Sequence, residues 1–110
     1  MTTEQHLQDA KLANAARRLR EAYAPERIYL FGSRARGEAG DDSDYDLLIV
    51  VAADAAPEMR TSRIGYQALR GTGIAGDVVV CTHTYFSARV HLQASLPGTV
   101  TREGHLLYAV

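Results

Sequence analysis

Apolar positions recur along this chain with two different periods. Leu12, Ala16, Leu19 and Tyr23 stand at helical spacing with Arg17, Arg18, Arg20 and Glu21 between them, which predicts an amphipathic first helix. Pro25 ends it, because the residue before a proline is pushed out of the helical region. Ile28 to Phe31 predicts a short buried strand that runs into a turn at Gly32-Ser33. Gly40-Asp41-Asp42-Ser43 predicts a loop, and the apolar run Leu47-Leu48-Ile49-Val50-Val51 a second strand. Pro57 suits a first helical position and Gly71-Thr72-Gly73 a stop, so a second helix is predicted between them. Gly76-Asp77-Val78-Val79-Val80-Cys81 reads as a third strand, buried on both faces. A third helix is predicted after Thr84 as its N-cap, carrying Phe86, Val90 and Leu92, until Pro97-Gly98 breaks or redirects it. Repeats, low-complexity tracts and long linkers are absent from the sequence.

Chemistry concentrates where strands begin or end. In an extended strand alternate side chains share a face, so Asp44 and Asp46 are expected to project together while Tyr45 points away. At a separation of about 4 Å two carboxylates repel by roughly 4 kcal/mol at an effective dielectric of 20, and a cation between them lets both stay ionised. A hard divalent ion such as magnesium suits oxygen ligands of this kind. The small-residue turn at Gly32-Ser33 offers backbone N–H groups to an anion, and Arg34 and Arg36 can add charge-assisted hydrogen bonds; Arg34 is the stronger phosphate candidate because it follows Ser33 directly. A carboxylate pair beside an anion cradle suggests a triphosphate site and nucleotidyl transfer, in which two metal ions clamp the entering and leaving oxygens. A third carboxylate is then expected, and Asp77 at the head of its own buried strand is the candidate, provided that strand lies beside the one with Asp44 and Asp46.

Each of these residues also has a plainer explanation. Gly-Ser is a common strand-to-helix turn with an N-cap serine, Asp-x-Asp is often solvated, and Asp77 after a glycine could close a turn. The joined order of the residues favours a site. Cys81 and His83 are too few ligands for zinc, Cys81 reads as a small buried hydrophobe, and His91 and His105 read as helix-face or surface residues.

The 110 residues are expected to form one domain able to bury about 60–70% of its unfolded surface. Twelve basic and thirteen acidic residues give a formal net charge of −1, which provides no general attraction to nucleic acid or to an acidic membrane. One cysteine, a polar Thr2-Thr3-Glu4-Gln5 opening and no apolar run near the ~20 residues of a membrane helix give the expectation of a cytoplasmic protein.

Leu30-Phe31-Gly32-Ser33-Arg34-Ala35-Arg36-Gly37, then Ser43-Asp44-Tyr45-Asp46-Leu47-Leu48, then Asp77 resemble the signature of the polymerase-β-type nucleotidyltransferase superfamily, in its minimal single-domain branch. Arg102-Glu103-Gly104-His105-Leu106-Leu107-Tyr108 resembles the end of such a domain. The resemblance covers residues 1–110 almost throughout and implies an α/β (α+β) fold, a short mixed sheet flanked by helices. Carried over by position, it puts Gly32 and Ser33 on the nucleotide phosphates, with Arg34 and Arg36 assigned beside them by charge. Asp44 and Asp46 fall on both magnesium ions and Asp77 on the acceptor-side metal.

The resemblance further implies transfer of AMP from ATP to a hydroxyl, a tyrosine on a partner protein, by an antitoxin paired with a HEPN-type ribonuclease toxin. With no second domain, the acceptor pocket would be completed by another molecule, or by a second copy in a homo-oligomer. Two alternatives stand beside this. One keeps the chemistry with a small-molecule acceptor, as in aminoglycoside-modifying relatives; the other is a non-catalytic binding module with a vestigial nucleotide site. Polymerisation on nucleic acid is least favoured, since no basic surface interleaved with aromatics can be read.

Overall fold

A computed structural model describes residues 2–38 and 44–110. The chain runs α1 (Thr3–Leu7), α2 (Ala10–Tyr23), β1 (Arg27–Phe31), α3 (Gly32–Ala35), β2 (Tyr45–Val51), a 3-10 turn (Pro57–Arg60), α4 (Ser62–Leu69), β3 (Gly76–Thr82), α5 (His83–Arg89), α6 (Leu96–Glu103) and β4 (His105–Ala109). The strands form one sheet in the order β3-β2-β1-β4. β1 is antiparallel to β2 and to β4, whereas β2 and β3 are parallel, so the sheet is mixed. This is the expected α+β architecture. The expected Gly40-Asp41-Asp42-Ser43 loop lies outside the described residues.

β2 is apolar on both faces because both are covered. Leu47, Ile49 and Val51 pack with Leu12, Leu19 and Tyr23 of α2 and with Leu69 of α4. Leu48 and Val50 pack with Tyr29 of β1, Phe86 of α5 and Val100 of α6. All five β2 residues are at most 1% exposed. Full burial of one such side chain contributes about 1.5–3 kcal/mol, which is why this strand anchors the sheet.

The first helix follows its predicted stripe, with Ala15 rather than Ala16 fully buried, and its N-cap is Asp9, whose side chain accepts from the Lys11 and Leu12 amides. The predicted helix from Pro57 to Gly71 divides at Thr61, whose backbone is extended. Tyr23 accounts for the break: its hydroxyl donates to the Thr61 carbonyl at 2.5 Å and accepts from the Gly65 amide at 2.8 Å. The predicted third helix also divides. Thr82, not Thr84, caps α5, and Leu92 lies beyond that helix. Pro97 does not end a helix but sits in the first turn of α6, which Ser95 caps, a place where a missing N–H costs nothing. α1 and β4 are additions to the elements predicted from sequence, and His105 accordingly sits in an edge strand rather than on a helix face.

Candidate active site

The strand pairing that the sequence left open is present. In the parallel β2–β3 ladder, Asp46 stands opposite Asp77. By the two-residue period of β2, Asp46 lies on the face of Leu48 and Val50, below α5 and α6, and Tyr45 on the face toward α2. Tyr45 does point away from the acidic pair: its hydroxyl donates to Asp9 Oδ2 at 3.1 Å. Asp9 thus caps α2 with one oxygen and holds β2 with the other.

β1 delivers Gly32 to the same place. Phe31 pairs with Asp46, and Gly32 follows at φ +76°, in the left-handed region. A Cβ at Gly32 would overlap Asp46 Oδ2 and lie 3.0 Å from its carboxylate carbon. Glycine is therefore required twice over, for its backbone angle and for the approach of the carboxylate. The turn is closed by amides of Arg36, Gly37 and Glu38, which donate to the carbonyls of Gly32, Arg34 and Ser33 at 3.0–3.2 Å.

Charge is unevenly distributed over this cluster. Burial pushes the Asp46 carboxyl above its ordinary value, the charges of Asp77 and Asp44 push it further, and Arg36 opposes them. Asp46 is half-buried, whereas Asp44 and Asp77 are exposed. Asp44 immediately precedes β2 and also lines a shallow depression with Tyr66, Leu69 and Arg70 of the α4 end. Among the described residues no group of three or more His, Cys, Asp or Glu side chains is gathered as a metal cage. The acidic group is thus a register pair, Asp46 and Asp77, with Asp44 at its margin.

The arginines part company. Arg36 pairs with Glu38 at 3.1 Å and its charge reaches Asp46. Arg34 lies over the Tyr45 ring, 4.0 Å from the centroid, and its charge reaches His6 instead. Cys81 is half-buried with its thiol pushed up to about 11 by desolvation, and His83 bonds Glu26 at 2.7 Å.

One feature of the site has no motif. Beyond the acidic pair on the same face, Leu48 stands opposite Val79 and Val50 opposite Cys81. Leu48, Val79 and Cys81 floor a cleft of about 300 Å³ walled by Tyr85, Leu96 and Pro97. Sequence reading takes Leu48, Val79 and Cys81 as buried strand positions, because nothing in their spacing distinguishes a partly open apolar surface from a closed one. Val79 at 38% and Tyr85 at 43% exposure show that this one is open.

Comparison with known proteins identifies the fold and the family. Residues 11–98 match the model of the nucleotidyltransferase domain. A crystal structure of a nucleotidyltransferase candidate from Sulfolobus solfataricus superposes with a TM-score of 0.59 at 24% identity, covering 97% of this chain and 83% of that one. A crystal structure of a toxin-antitoxin with AMP-PNP superposes with a TM-score of 0.56 at 20% identity, covering 88% of this chain and 73% of that one. Comparison with curated proteins gives no match. The matched residues take in β1, the Gly32 turn, the Asp46–Asp77 ladder and the cleft, and the chain belongs to the nucleotidyltransferase domain family.

Proposed function

We propose that this chain transfers AMP from ATP to a hydroxyl of a partner protein, with release of pyrophosphate, and that it does so as a minimal nucleotidyltransferase antitoxin of a HEPN-type toxin. The observation that carries the reading is the register of Asp46 with Asp77, directly against the Gly32 turn. Acceptor and nucleotide must meet over an acidic pair, and this pair has an anion-compatible turn on its β1 side and an open edge strand on the other.

The donor set fits magnesium: Asp46, held above its ordinary pKa by burial first and then by the charges of Asp77 and Asp44, offers hard carboxylate oxygens whose mutual repulsion a divalent cation relieves. Asp44, Asp46 and Asp77 would hold the ions. Magnesium, when bound, supplies charge neutralisation on the phosphates and acidifies the acceptor hydroxyl. The chain's own residues do the rest. Gly32 brings the backbone of the turn against the Asp46 carboxylate, with Ser33 next to it for the phosphates, and Arg36 brings positive charge to the side of Asp46. Arg34, held over the Tyr45 ring, braces the turn against β2. Asp77, exposed on the edge strand, faces the acceptor.

The apolar cleft beside Asp77 supports a protein acceptor. A hydroxyl carried on an aromatic side chain can rest its ring against Val79 and Tyr85 and reach toward Asp77, two residues before Val79 on β3. A toxin-antitoxin with a bound ATP analogue on the same fold supports the antitoxin role. Incubation of the purified chain with magnesium, α-phosphate-labelled ATP and an extract of source cells tests the proposal. A labelled protein band, absent with Asp46→Asn/Asp77→Asn, is expected. Label recovered only in small molecules would instead support the drug- or metabolite-modifying alternative.

A further inference from the structure

The carbonyl of Ala35, the last residue of α3, is taken by a side chain seventy positions away: His105 Nε2 donates to it at 3.0 Å. A carbonyl can only accept, so Nε2 carries the proton, and Nδ1 is left to accept from the Thr3 hydroxyl at 2.8 Å. One imidazole therefore ties α1, α3 and β4 together. The approach is enforced by its neighbour: a Cβ at Gly104 would lie 2.7 Å from the Leu30 carbonyl oxygen, so β4 closes on β1 only with glycine there, and His105 pairs with Leu30 two residues before the Gly32 turn. His6 of α1, 5% exposed, covers the other face of the ring, with centroids 4.6 Å apart.

We infer that His105 is a positioning residue for the Gly32–Ala35 turn: it pins the end of α3 to the sheet and fixes the place of Gly32 and Ser33 beside Asp46. The inference rests on the proposed role of that turn in holding nucleotide phosphate. His105 itself reaches no ligand. Its effect runs through Ala35, and a helix this short, with carbonyls at its end that lack intrahelical partners, depends on such an outside bond.

Calorimetric titration with ATP and magnesium, together with amide hydrogen exchange at Arg36, Gly37 and Glu38, tests this. Those amides close the turn and report on it whether or not a nucleotide binds. His105→Leu is expected to weaken ATP binding roughly 2- to 10-fold and to speed exchange at the three amides by a similar factor, the range one neutral hydrogen bond commands. His105→Gln, whose carboxamide can still donate to Ala35, is expected to stay within about twofold of the original chain on both readouts. Thr3→Val, a milder change, should move both in the same direction as His105→Leu. A lower Tm in His105→Leu with unchanged exchange at these amides would overturn the inference and leave His105 a packing residue. If the original chain bound no ATP while exchange still responded, the proposed function would fall and the mechanical link would stand.

Discussion

Gly32 and Asp46 occupy one space: the carboxylate of Asp46 fills the volume where any other residue at position 32 would carry its Cβ. The turn proposed to hold phosphate and the acid proposed to hold metal are thereby at contact distance.

Gly32→Ala accordingly meets two penalties, a strained φ and a collision, and is expected to destabilise the fold by about 1–3 kcal/mol. Tm should fall by at least about 4 °C. Adding Asp46→Ala removes the collision and leaves the φ strain, so a double-mutant cycle should show a coupling of about 0.5–3 kcal/mol. Additive effects would mean that the two residues do not compete for the same volume.

Asp46→Asn should abolish transfer and yet raise stability at neutral pH. The folded-state pKa of Asp46 lies above its unfolded value of about 3.8, so ionisation disfavours the folded form. This penalty is absent in acid, develops as pH rises through the interval between the two values, and is complete above it. Thermal melts at pH 7 should place the variant above the original chain, and the gap should close in acid. A lower Tm for Asp46→Asn at pH 7 would mean that burial and the neighbouring acids do not penalise the charged carboxylate.

His6 gives the opposite slope. Its imidazole is held below the ordinary 6.5 by burial first, then by His105, with Arg34 and the terminal amine adding and Asp9 opposing. The unfolded chain therefore takes up the proton first, and stability is lost as pH falls below about 6.5. His6→Phe keeps a ring against His105 and removes the group, including a buried Nε2 that has no partner among the described residues. Its Tm should depend less on pH between 7 and 5.

Tyr85→Ser should separate acceptor from nucleotide. The side chain is 43% exposed and its ring contact is with Arg89 of the same helix, so stability should change by no more than about 1 kcal/mol and ATP affinity should hold. Loss of an aromatic wall of the cleft is expected to cost roughly tenfold in acceptor labelling, about 1.4 kcal/mol. Unchanged labelling would remove the cleft from the acceptor site.

The candidate site residues were more legible in the sequence than the scaffold that gathers them. Gly32, Asp46 and Asp77 stand out by residue type and order, and the register of β2 with β1 and β3 is what brings them together. Elements set by distant partners were less legible. The break at Thr61 depends on Tyr23, thirty-eight positions away, and β4 is a strand because β1 offers it an edge. His105 reads as a surface residue locally and acquires its bonds only once Thr3 and Ala35 arrive beside it. Thr84 lost the capping role to Thr82 because β3 runs to Thr82 without a loop.

Linkage between magnesium and ATP tests whether Asp46 and Asp77 form a metal-dependent nucleotide site. Titrating ATP into the chain with and without magnesium, and repeating with Asp46→Asn/Asp77→Asn, should show magnesium strengthening ATP binding in the original chain and having no such effect in the variant. An equal response to magnesium in both proteins, or no binding of ATP by the original chain, would contradict the account.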